Sequence, residues 1–94
     1  MNEKEKYFAQ IEARMAKFGQ TLHEIKTRAA AGSEAEAYPE ASLRLAMRKH
    51  EDAERKVQTL KQSDENTWER IRDDLENLTK DIDRDLRQAL AHFR

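Results

Sequence analysis

Ninety-four residues, 39% of them charged against 37% hydrophobic, with a formal net charge of -1, allow one domain at most (residues 1–94) and leave a thin supply of core. With no cysteine, neither a disulfide framework nor a thiolate metal site is available, and two glycines and one proline among abundant Ala, Leu, Glu, Lys, Arg and Gln fit long helices and exclude a strand-rich fold. No run approaches the roughly 20 apolar residues of a membrane span, and "MNEKEKYFAQ" has no continuous apolar stretch, so a cytoplasmic location is expected.

In the first segment Phe8, Ile11, Met15, Phe18, Leu22, Ile25 and Ala29 alternate steps of three and four, a heptad seam. Gly19 lies off this stripe and costs about 1 kcal/mol relative to Ala, too little to stop a helix with so many matches. A helix over about residues 3–31 is predicted. The stretch "AAAGSEAEAYPEAS" carries turn chemistry, because Gly32 suits a helix end and Pro39 suits the first turn of the next helix. The chain is expected to reverse over about residues 32–39, and a short connection favours antiparallel neighbours.

A second seam runs from Leu43 through Ala46, His50, Ala53, Val57 and Leu60, more loosely filled than the first. Leu60, Asp64 and Trp68 are then spaced by two fours, a stutter, before Ile71, Leu75, Leu78 and Ile82 resume the three-four pattern. Ile71, Ile82 and Phe93 are also eleven apart, as are Leu75 and Leu86, which predicts a nearly straight stripe. Asn66 with Glu69 could form a capping box and open a third helix. Because neither Gly nor Pro marks a stop, one continuous second helix over about residues 40–93 is the preferred reading. The alternative is a three-helix bundle with a break near residues 62–66.

The tail "LKQSDENTWERIRDDLENLTKDIDRDLRQALAHF", with its motif "DENTWERI" centred on Trp68 and Glu69, resembles a family of small bacterial coiled-coil stress-response proteins best known from cyanobacteria. The likeness extends over the whole chain: an amphipathic helix, an Ala/Glu-rich turn region, a charged heptad helix, the Trp-Glu motif and a final amphipathic helix. Members often repeat the tryptophan eleven residues later, where Thr79 stands here, and often carry a glycine near the motif, which this chain lacks. The resemblance implies a role in stress tolerance without known catalysis, and it carries over no active-site residues.

The residues themselves point away from enzyme chemistry. His23, His50 and His92 are isolated, in no HExxH pair, so no metal or cofactor is expected. Asp73 and Asp74 are adjacent on a helix and diverge by about 100 degrees. Glu51 with Arg55, Asp52 with Lys56, Glu76 with Lys80 and Asp83 with Arg87 place acid before base at i,i+4, each worth roughly 0.2–0.5 kcal/mol to a helix. Residues 63–94 hold nine acids against six bases, which argues against nucleic acid as a partner.

The expected architecture is all-α, an antiparallel hairpin of a helix about 42 Å long against one about 80 Å long. Its C-terminal stripe of Trp68, Ile71, Leu75, Leu78, Ile82, Leu86 and Phe93 would then lack cover within the chain, marking it as an interaction surface. The predicted function is accordingly a non-enzymatic coiled-coil interaction protein, stress-associated if the resemblance holds, self-assembling as a homo-oligomer, a dimer in the simplest case, with an unidentified protein as the other partner for the stripe. A lipid-surface helix is the alternative, disfavoured because Asp74, Asp81 and Asp85 edge the stripe and would face anionic head groups.

Overall fold

A computed structural model of the chain describes residues 2–31 and 40–92. Within them lie three helices and no strand: α1 (Glu3–Ala31), α2 (Glu40–Gln62) and α3 (Trp68–His92). The expected reversal over residues 32–39 and the stripe residue Phe93 lie outside the described residues.

At the start of α1, the Asn2 side chain accepts the Glu5 N–H at 2.8 Å and its carbonyl accepts the Lys6 N–H at 3.1 Å. Glu3 and Glu5 in the first turn and Arg28 in the last complement the helix dipole. The inward stripe is Tyr7, Ile11, Met15, Phe18, Leu22 and Ile25. Tyr7 therefore takes the inward place that hydropathy alone gives to Phe8. Phe8 is half-buried at the edge, with the Lys61 ammonium 5.7 Å from its ring centre.

α2 turns Ala46, Ala53, Val57 and Leu60 inward, and the two alanines let the neighbouring helices approach closely. His50 occupies the wider gap between them. Its Nε2 lies 3.1 Å from the Met15 carbonyl, whose partner within α1 is the Gly19 N–H. An added Cβ on Gly19 would sit 3.7 Å from the His50 ring, ordinary contact. Gly19→Ala is therefore expected to stabilise the fold by roughly 0.5–1 kcal/mol, read as a higher urea midpoint at unchanged slope. A lower midpoint would show that the imidazole needs the empty position.

Contacts between helices fix their directions. Lys4 Nζ bonds the Ser63 carbonyl and Phe8 meets Lys61, so α1 and α2 are antiparallel. Lys49 pairs with Asp85 at 2.7 Å and Lys56 with Asp74 at 3.8 Å, so α2 and α3 are antiparallel. Tyr7 meets Trp68 and Arg14 meets Glu76, so α1 and α3 run parallel. The result is an up-down-up bundle measuring 50 × 21 × 16 Å.

The continuous second helix expected across residues 62–68 is not formed. Neither glycine nor proline ends α2; competition from side chains does. Ser63 donates through both its N–H (3.1 Å) and its hydroxyl (2.6 Å) to the Leu60 carbonyl, closing α2 with a tight turn. Asp64 then caps α3, its Oδ1 accepting from the N–H groups of Asn66 (2.9 Å) and Thr67 (3.0 Å) and from the Thr67 hydroxyl (3.0 Å). The cap thus stands two residues before the Asn66 expected for it. A continuous helix of about 54 residues would need about 80 Å, which the 50 Å long axis cannot hold.

Candidate functional site

The expected interaction stripe faces the interior. Trp68, Leu75, Ile82 and Leu86 are buried against α1 and α2, and Ile71 and Leu78 are half-buried against the same core. Bending the chain at residues 63–67 supplies from within the cover that a straight helix would have sought in a second copy. The premise for self-assembly through an uncovered stripe, or for laying it on a lipid surface, is therefore not met in the closed bundle. Among the described residues no helix is long and apolar enough to cross a membrane. Leu45, 50% exposed, is the one large hydrophobic side chain that stands clear of the core among the described residues.

Burial along α3 follows Trp68, Leu75, Thr79, Ile82, Leu86 and Ala89, the three-four spacing of a heptad seam. The eleven-residue spacing also runs through it, since Leu75 and Leu86 are both buried, but its other pair is unequal: Ile82 is fully buried and Ile71 only half-buried. Thr79 holds a core position because its hydroxyl donates back to the Leu75 carbonyl at 2.8 Å and can accept from Arg14.

The α1–α3 contact carries a polar layer that sequence spacing does not reveal. Arg14 reaches Glu76 at 3.0 Å and Thr79 at 3.4 Å. Above it Tyr7 packs on Trp68 with ring centres 6.2 Å apart, and the Arg72 guanidinium lies 5.3 Å over the indole. The Tyr7 hydroxyl is buried without a partner in bonding geometry. Glu76 lies close, one of its carboxylate oxygens taken by Arg14. Burial first, and the Glu76 charge second, push the phenol above its ordinary range.

Several charges pair differently from the helical spacing rule. Glu76 takes Arg14 in place of Lys80, and Lys56 takes Asp74 in place of Asp52, which instead meets Arg55. Asp83 with Arg87 forms at 2.9 Å. Asp73 turns to Arg72 and Asp74 to Lys56, so the adjacent carboxylates diverge. His23 and His92 are exposed and far in sequence from half-buried His50, and among the described residues no three His, Asp or Glu side chains gather as a metal-holding group.

From the Arg14–Glu76 pair onward, residues of α1 and α3 line a groove of about 500 Å³. Phe18, Leu86 and Leu90 form its floor; Lys17 from α1 and Lys80 from α3 stand on opposite rims. Arg14 and Arg87, also on the rim, are neutralised by Glu76 and Asp83. Lys17 and Lys80 have no acidic partner among the described residues, which leaves an apolar floor between two positive charges in a chain whose overall charge is -1.

The hinge cap is the feature that acid should disturb. Asp64 is exposed, and the Thr67 hydroxyl, followed by the Asn66 N–H, holds its carboxyl below the ordinary 3.8. A depressed folded-state pKa stabilises the capped form fully above the ordinary value and loses that stabilisation as pH falls through the depressed one. The protection factors of the Asn66 and Thr67 amides are therefore expected to fall as pH drops below about 3.8, and Asp64→Asn should remove that dependence locally. Protection factors at both amides that stay flat down to pH 2 would contradict the cap's role.

No family model, no curated protein and no solved structure matches this chain.

Proposed function

We propose that this chain is a non-catalytic helical interaction protein that receives an acidic amphipathic helix of a partner in the groove between α1 and α3. The observation that carries the reading is the pair of ammonium groups without an acidic partner among the described residues, Lys17 on α1 and Lys80 on α3, lining one groove with Phe18, Leu86 and Leu90. Apolar side chains at i, i+3 or i+4, and i+7 of a docked helix would meet that floor while its flanking carboxylates meet the lysines. From Glu76 to Leu90 the groove follows α3 for about 21 Å, the length of about fourteen helical residues. An antiparallel approach to α1 and α3 sets the helix dipoles favourably and completes a four-helix arrangement. The shallow floor suits a transient contact, not a permanent one. An association with stress enters this proposal through the resemblance of the Trp68 region, as the setting in which such a helix would be captured.

The test is charge exchange. A fluorescein-labelled fourteen-residue peptide with leucines at helical spacing and glutamates flanking them should bind, with affinity falling as salt rises. Lys17→Glu/Lys80→Glu should weaken it at least about tenfold, and a lysine-flanked version of the peptide should restore binding to that variant. Equal binding of both peptides to both proteins would refute the groove reading.

A further inference from the structure

We propose that residues 63–67 are a hinge that can straighten, joining α2 and α3 into one helix, so that two copies of this chain exchange their α3 helices and form a swapped dimer. The occupant of each α1–α2 face would then be the partner copy's α3, seated through the contacts the monomer makes with its own. This proposal does not depend on the groove reading.

Three observations support it. First, the hinge sequence Ser63, Asp64, Glu65, Asn66, Thr67 has neither glycine nor proline, and no described residue has a positive φ, so nothing in the linker forbids a helical backbone. Second, the linker is already partly helical. The Trp68 N–H bonds the Asp64 carbonyl at 3.2 Å and the Ile71 N–H bonds the Thr67 carbonyl at 3.4 Å, both at i,i+4 spacing. Straightening requires that the N–H groups of Asn66 and Thr67 leave the Asp64 carboxylate and that the N–H groups of residues 64–67 bond the carbonyls of residues 60–63. Third, Leu60, Asp64 and Trp68 keep steps of four across the hinge, so a joined helix still carries the apolar faces of α2 and α3 along one side.

The exchange conserves the interface. Tyr7 with Trp68, Arg14 with Glu76 and Lys49 with Asp85 all link α3 to α1 or α2, and each can form between copies as well as within one. What differs between the two states is the hinge itself, together with the entropy of bringing two chains together. The Asp64 cap and the modest helix propensity of Ser, Asp, Asn and Thr hold the dilute chain closed. High chain concentration during folding favours the exchange, because another copy's α1–α2 face is then met before the chain's own hinge has turned.

The experiment refolds the whole chain from denaturant at micromolar and at millimolar concentration and separates the products by mass. Wild type is expected to yield monomer from the dilute sample and a slowly dissociating dimer from the concentrated one. Ser63→Ala/Asp64→Ala removes the Ser63 hydroxyl bond to Leu60 and the three bonds to the Asp64 carboxylate, and should raise the dimer yield at a fixed concentration at least about tenfold. Glu65→Pro places proline at the first position after the cap, where the closed turn accepts it and a through-helix does not, and should leave only monomer with a native melting curve. Spin labels at Arg55 and Asn77, diluted with unlabelled chain, should lie on one helix about 33 Å apart in the dimer and on side-by-side helices in the monomer. A dimer that persists in Glu65→Pro, or no dimer from either wild type or the alanine variant, would overturn the proposal.

Discussion

Trp68→Ala is expected to unfold the monomer without any prior change in its mass. The indole is buried at the first turn of α3, against Tyr7 of α1 and beneath the Arg72 guanidinium, so its removal empties the corner where the hinge closes the bundle. Truncating a large buried aromatic side chain costs about 3–5 kcal/mol. A domain of this size has a total stability of about 5–14 kcal/mol, so the loss consumes a large share of it. A fall in melting temperature of roughly 15 °C or more follows. Circular dichroism melts beside sedimentation equilibrium decide the matter. A variant that changes mass while its helices stay intact would place Trp68 between chains and not within one.

The second large effect lies within α3. Ile82 is fully buried and Ile71, eleven residues earlier, is half-buried. Ile82→Ala should therefore cost about 2–5 kcal/mol, whereas Ile71→Ala should cost about half as much or less. Urea denaturation of the two variants gives the comparison directly. Equal losses would mean that Ile71 packs as deeply as Ile82, so that the inward face at the start of α3 is wider than the seam through Leu75, Thr79, Ile82, Leu86 and Ala89.

Much of the helical content was legible in the residue pattern, and the limits of that legibility have physical causes. The α1 stripe from Ile11 to Ile25 could be read because it is long, regular and filled with large side chains. Tyr7 was hidden because hydropathy ranks Phe8 above it, while its burial depends on an aromatic partner in another helix, Trp68. The break between α2 and α3 was legible only as an alternative. Chain ends of helices are usually announced by Gly or Pro, whereas here a Ser63 back-bond and an Asp64 cap with Thr67 as its second donor end one helix and start the next. That misplacement had consequences for function. It left the α3 stripe without cover and turned it into an interface, when the bend in fact tucks Leu75, Ile82 and Leu86 inside.

The groove between α1 and α3 could not have been read at all. It depends on which residues of two parallel helices lie opposite each other, and that register is set by Tyr7 on Trp68 and by Arg14 on Glu76 and Thr79. The spacing rule pairs Lys80 with Glu76 on the same helix; the forked Arg14 takes that carboxylate instead and leaves Lys80 on the groove that Lys17 also lines. Polar groups half-sunk at a helix contact can fix register in this way at some cost in stability, here the burial of the Tyr7 hydroxyl beside the Glu76 charge.

The closed three-helix bundle is tested most directly by small-angle scattering of the dilute chain with mass measured on the same sample. The expected result is a particle of one chain, 11.1 kDa, whose longest dimension is near the 50 Å of the bundle. A single chain extending to about 80 Å or more would contradict it, because only an unbroken helix through Asp64 reaches that length.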